Sequence, residues 1–312
     1  MEDRMAKKTK EKYIGRKGQL FVYIGKFFRL FIAEKQWMML LMAGLIAFLV
    51  AAVVGRNMYK TMEGTLLGGL ALGCVCLWNG VFNSIQVICK ERSIIKREHR
   101  SGLSILSYMS SHMVVQLIIC IMQSIIMMIV LRLTGVKFPE QGLVTGSFVV
   151  DFFISLLLLT YASDVLGLMV SCIVKTTTMA MTVMPFILIV QLLFAGVAFP
   201  LSGGAEKAAD FTLTKWGVAA VCIEGHYNDQ PSVALYNAAK AAAKKDDRIY
   251  QIFRKMDGVE MTKTMGEYSK EPQYESTKEN MLKVWGIFGI YIVVFALVGI
   301  TFLKFIDKDK RS

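Results

Sequence analysis

The chain of 312 residues is 54% hydrophobic and only 19% charged, with a net charge of +12 and a mean hydropathy of +0.48. A soluble domain of this length ordinarily carries more charge, so composition argues against a soluble enzyme and for an all-α polytopic membrane protein. Nor does the positive excess form a nucleic-acid face: residues 201–280 hold eleven Lys/Arg and twelve Asp/Glu, and the surplus lies at the ends and in short loops.

Residues 1–35 begin with a basic stretch that no apolar run follows directly, which excludes a secretory signal. Leu20, Phe21, Ile24, Phe27, Phe28 and Phe31 then recur on one helical face, with Lys26 and Arg29 off it. This predicts an amphipathic helix at the inner membrane interface, or one packed on a partner protein.

Gln36–Val54 is uncharged and ~28 Å long as a helix, enough to cross a bilayer. Gly64–Cys89 predicts a second span. The segment Lys90–Tyr108 comes next, with Lys90, Arg92, Lys96, Arg97 and Arg100 between two apolar runs, and the positive-inside rule places it in the cytoplasm. Residues 106–131 and 147–174 predict spans three and four, the latter carrying Asp151 near its outer end and Asp164 in its interior. Met179–Pro200 predicts span five and Val284–Leu303 span six, so that residues 36–200 form five spans, 201–280 a large extracytoplasmic segment, and 281–312 the sixth span and a cytoplasmic tail. Both termini then lie inside. Ser232–Met256, rich in Ala and Lys, reads as a helix within the outer segment.

Catalytic and metal-binding patterns are absent from the sequence. His99, His112 and His226 are scattered, and no phosphate loop or H-E-x-x-H occurs. The six cysteines form no C-x-x-C pair, and only Cys222 lies in the large polar segment. Asp164 is the acid deepest in an apolar run, where a charge costs about 2.5–3.5 kcal/mol; a polar contact with Thr160 or Tyr161 is the reading set against a functional one. Asp151 is expected to be solvated. Leu201-Ser202-Gly203-Gly204-Ala205 matches an ATPase signature by chance and reads as a Gly-rich turn.

Two blocks carry a family resemblance. Glu91-Arg92-x-Ile94-Ile95-x-Arg97-Glu98, followed by Gly102 and Ser107-Tyr108, resembles the first intracellular loop of G-subfamily ABC transporters of the type-2 permease group. Phe194-Ala195-Gly196-Val197-Ala198-Phe199-Pro200-Leu201 resembles the end of their fifth span, and Lys215-Trp216-Gly217 the aromatic-glycine pair beyond it. The resemblance implies the permease of an ATP-driven exporter in a bacterial plasma membrane. Two copies, or this chain and a similar one, would surround the path within the lipid. ABC ATPase subunits would hold ATP and Mg, with no cofactor, metal or catalytic residue here. Because the sequence begins with Met at the basic stretch, the resemblance is to split bacterial systems, with the ATPase expected on another polypeptide.

The coupling loop would be residues 90–103, with Glu91, Arg92, Lys96, Arg97, Glu98 and Arg100 meeting the ATPase; Glu91 and Glu98, seven apart, share a helical face. Asn79, Asn83 and Gln86 make one polar face of span two, expected to look inward. With Phe82, Leu188, Ile189 and Leu192 they are the implied substrate pathway, and Val197 and Ala198 the outer gate, which here lacks a bulky leucine pair. A different class of function, a membrane-anchored ligand-binding or immunity protein that does not pump, is the alternative at this stage.

Overall fold

The computed structural model describes residues 15–305 apart from Arg56, Pro200 and residues 231–270. The expected helix Ser232–Met256 and the C-terminal basic tail lie outside the described residues. Those described are all helical, with no strand among them: α1 Arg16–Ala33, α2 Met38–Val54, α3 Met62–Ser84, α4 Val87–Lys90, α5 Arg92–Arg100, α6 Ile105–Leu133, α7 Phe148–Ile173, α8 Thr177–Leu193, α9 Gly204–Ala209, α10 Leu213–Glu224 and α11 Lys278–Lys304. Four stretches are long and apolar enough to cross a membrane: Met62–Lys90 (α3 with α4), α6, α7 and α11. A fifth arises if α1 and α2, bent by 66°, count as one, while α8 is apolar but shorter.

Local chemistry sets the boundaries. Thr61, Ser104, Thr176 and Thr277 cap α3, α6, α8 and α11 by accepting a hydrogen bond from a backbone N–H of the first turn. The bend between α1 and α2 passes through Lys35, whose φ of 55° lies in the left-handed region. The predicted second span breaks at Ile85–Gln86. There Ser171 Oγ of α7 accepts from the backbone N–H groups of both Ile88 and Cys89 at 3.0 Å, supplying a cap from a neighbouring helix. The predicted fifth span also stops early, at Leu193. The chain turns through Gly196 at φ +78°, a conformation that costs a Cβ-bearing residue.

α3 and α7 form the centre, flanked by α2, α6, α10 and α11. Their backbones approach closely because small residues face each other. A Cβ on Gly80 would strike Thr160 and the Asp164 N–H, and one on Gly167 would strike Ser84 and Val81. α1 packs on α6, where Phe27 is buried against Tyr108 and His112; Phe31 is buried too, while Phe21 and Phe28 stay exposed. The aromatic face of α1 is therefore divided, half against the chain's own core and half outward. Five of the six cysteines are buried and Cys74 half-buried, all as free thiols.

Candidate functional site

α5 is the charged helix expected between the second and third spans, and three side chains fix its place. Arg92 Nη1 donates to the carbonyls of Cys172 and Val174 at 3.0 Å, meeting the exposed C-terminal end of α7, where a cation is favoured. Glu98 Oε2 accepts from Tyr23 of α1 at 2.7 Å. Glu91 Oε2 accepts from Tyr108 of α6 at 3.1 Å and lies 3.6 Å from Lys26. Ile95 is fully buried beneath them. The two acids do share a face, as their spacing requires, but that face looks toward α1 and α6. Ser93, Ile94, Arg97 and Arg100 are exposed; Lys96 is half-buried. Just before α5, Lys90 pairs with Glu34 at 2.8 Å, and the Lys90 ammonium holds the Glu34 carboxyl below its ordinary value.

The expected pathway residues separate into two groups. Asn79 and Asn83 are buried within the bundle. Asn83 exchanges two hydrogen bonds with Gln123 of α6, Nδ2 to Oε1 at 2.8 Å and Nε2 to Oδ1 at 3.0 Å, a closed amide pair. Phe82 is exposed and packs edge-on against the exposed Trp78. Ile189 and Leu192 of α8 are also exposed, while Leu188 is buried. Phe82, Asn83 and Gln86 line one cavity, at the α5 end of the bundle. Val197 and Ala198 line another, of about 580 Å³, at the α10 end, together with Glu63, Glu206, Glu271 and Lys215.

Both acids of α7 depart from expectation. Asp151 is not solvated: it is 1% exposed and accepts from the backbone N–H groups of Val144 and Thr145 and from the Thr145 hydroxyl at 2.7 Å. The loop preceding α7 folds back over its first turn, so a position near a helix end still becomes enclosed. Asp164 is fully buried, and its carboxyl oxygens make no hydrogen bond with Thr160 or Tyr161.

Three further polar groups gave no signal in the sequence. Gln191 Oε1 of α8 accepts from the N–H groups of Leu213 at 2.8 Å and Thr214 at 3.2 Å, capping α10 from outside. Glu224 Oε1 accepts from Ser155 at 2.5 Å, and Ser155 accepts from Trp285 Nε1 at 2.8 Å, which ties α10, α7 and α11. α10 is too short to cross a bilayer; burial pushes the Glu224 carboxyl up to about 8, opposed by the Ser155 hydrogen bond and aided to a lesser extent by the Asp151 charge. The Lys215-Trp216-Gly217 block has a packing reason: a Cβ on Gly217 would meet Leu159 at 2.6 Å. Gly203, within the chance signature, has φ +61° and starts α9.

Residues 18–211 match the family model described as ABC-2 type transporter. The chain belongs to the ABC-2 type transporter family. This type-2 ABC permease is also 30% identical, over 160 residues, to the ABC transporter ATP-binding/permease protein Rv1747 of Mycobacterium tuberculosis. That similarity takes in 50% of this chain and 18% of the relative. The ABC-2 match runs from the first turn of α1 to just past α9 and so includes α5, the α3–α7 centre and the Gly196 turn. With its apolar helices, membership makes the chain a multi-pass membrane protein and a transporter permease.

Proposed function

We propose that this ABC-2 permease is one half of the translocation path of an ATP-driven exporter, working as a dimer, with itself or a similar chain, and driven by separate ATPase subunits that hold ATP and Mg. Its six crossings would be α2, α3 with α4, α6, α7, α8 and α11. Their alternating directions support this, as α5 and the Glu34–Lys90 pair lie at one end and α10 at the other. Residues 1–35 and the C-terminal tail would lie in the cytoplasm, and 201–280 outside the plasma membrane, in a bacterium.

The observation that carries the reading is the three-way bracing of α5. A push on its exposed Ser93, Ile94, Arg97 and Arg100 edge is passed by Glu98 to α1, by Glu91 to α6 and by Arg92 to α7, so the helices respond as a body. Lys96 belongs to the same docking helix. A relative named for both ATP binding and permease supports an ATPase partner. The exposed Trp78, Phe82, Ile189 and Leu192 edge of α3 and α8 would face the second copy across the path, with Asn79, Asn83, Gln86 and Leu188 behind it and Val197 and Ala198 at the outer exit.

Isolation of the chain from its native membrane tests this. A co-purifying ABC ATPase whose hydrolysis falls when Arg97 and Arg100 are reversed to Glu supports the reading. An assembly with no nucleotide hydrolase overturns it.

A further inference from the structure

The cavity of about 580 Å³ at the α10 end is lined by three carboxylates from three elements. Glu63 stands in the first turn of α3, Glu206 in α9, and Glu271 just before the 3-10 turn Pro272–Tyr274. Glu63 and Glu206 are exposed and Glu271 is half-buried. Among the described residues, the cation in this lining is Lys215, and its ammonium is already taken by Asp210 at 2.6 Å. Lys207, next to Glu206, lines an adjoining cleft instead. Among the described residues, none of the three acids forms an ion pair. Gln273 donates its amide N–H to Glu271 Oε2, which leaves that carboxylate its charge.

Acids at a rim are ordinarily a solvated surface, but here two buried phenols share the recess. Tyr227 and Tyr274 line the same cavity, are 2% and 7% exposed, and pack edge to face with centroids 5.2 Å apart. Neither hydroxyl has a hydrogen-bond partner, and neither is sealed off, so both open into the recess that they line. Burial holds both phenols protonated, above their ordinary value, and the nearby Cys222 and Glu271 add to it. Nearly buried polar groups without a partner ask for an occupant that completes them.

From this we infer that the cavity binds a linear polyamine, an aliphatic chain bearing two or more ammonium groups. Its acid excess selects positive charge. Among the described residues no three acids, histidines or cysteines converge closely enough to hold a metal ion, so the carboxylates suit charges spaced along a molecule rather than one ion. The ammonium groups pair with Glu63, Glu206 and Glu271. One of them also donates to a phenol oxygen of Tyr227 or Tyr274, whose rings favour a cation beside them. The methylene segments rest on Leu66 and Val197. As cargo at the exit this rests on the transport reading, because Val197 and Ala198 line the same cavity; as a binding site it stands alone.

The test is equilibrium dialysis of radiolabelled spermidine against the full chain in phosphatidylcholine nanodiscs, without any ATPase, with empty nanodiscs as blank. Salt is kept at about 0.15 M, where diffuse attraction is screened. Saturable binding is expected, with propylamine competing about tenfold more weakly because it forms two ion pairs fewer. Half-saturation is expected to rise about threefold in Glu63→Gln and in Glu206→Gln, and about fivefold in Tyr227→Phe, which keeps the ring. Glu279→Gln, exposed in the first turn of α11 and outside the cavity lining, is expected to leave it unchanged. Absence of saturable binding, equal competition by propylamine, or equal effects of Glu279→Gln and Glu63→Gln overturns the inference. Glu206 is an exposed side chain whose loss spares the fold, so unchanged half-saturation in Glu206→Gln, too, counts against the site. Spermidine binding without pumping in a reconstituted complex supports the site while removing the transport reading; pumping by wild-type protein that binds no spermidine removes the site alone.

Discussion

The Tyr23 hydroxyl donates to Glu98 Oε2 at 2.7 Å, across 75 residues of sequence, and so binds the first helix to the charged loop helix. Tyr23 also packs edge-on to Tyr108, whose own hydroxyl meets Glu91. The two acids on one face of α5 are thus each held by a phenol.

Tyr23→Phe and Glu98→Gln are each expected to destabilise the fold by about 1 kcal/mol, and the double variant by less than the sum. Glu98→Lys is expected to abolish ATP-coupled transport while the chain still inserts. Thermal unfolding in detergent and transport in proteoliposomes measure the two effects. Additive losses would show that the bond does not join α1 to α5.

Breaking the Asn83–Gln123 amide pair from one side leaves a buried amide without partners. Asn83→Leu is expected to cost about 1–3 kcal/mol, and adding Gln123→Leu to recover part of it. Denaturation of both variants decides this. No recovery in the double variant would mean that the pair does more than satisfy itself.

Gly167 and Gly80 sit where α3 and α7 touch. Gly167→Ala is expected to lose about 1–3 kcal/mol, since the new methyl meets Ser84 and the Val81 carbonyl. Gly286→Ala in α11, where nothing lies within 4 Å, is expected to be neutral or stabilising by up to about 1 kcal/mol. The contrast is read from the two melting midpoints.

Glu224 gives the fold a pH dependence. Its carboxyl is held up at about 8 against an ordinary 4.5, so between those values the folded chain keeps a proton that the unfolded chain has released. The stabilisation is whole below the ordinary value and declines as pH rises through about 8, by at most about 1.4 kcal/mol per pH unit. Glu224→Gln is expected to flatten that slope, checked by unfolding from about pH 5 to about pH 9. A variant with the wild-type slope would assign the effect elsewhere.

Phe82→Ala and Asn79→Ala are expected to differ. Phe82 is exposed on α3, so its loss should weaken substrate-stimulated hydrolysis with little change in melting. Asn79 is buried, and its loss should register first in stability. Equal effects from both would place them in one packing role.

Local features were the legible ones. The 3.6-residue recurrence from Leu20 to Phe31 marked α1, uncharged runs marked α2, α3, α6, α8 and α11, and an apolar run interrupted only by Asp151 and Asp164 marked α7. Charge density marked α5. The early end of α8 was concealed because Phe194–Phe199 stays apolar while Gly196 turns the chain, and hydropathy does not register φ. The site was legible as residue types and not as partners. Asn83 meets Gln123 across 40 positions and Ser155 meets Trp285 across 130, distances over which periodicity says nothing. Spacing put Glu91 and Glu98 on one side of a helix, but which way that side faces depends on α1 and α6.

The enclosure of the native thiols has a practical reach. With Cys76, Cys89, Cys120, Cys172 and Cys222 shielded by packing and Cys74 half-covered, a new cysteine at an open position such as Arg97 would stand out against a quiet background. An impermeant maleimide applied to intact cells could then report sidedness one residue at a time, with the wild-type chain as its own blank.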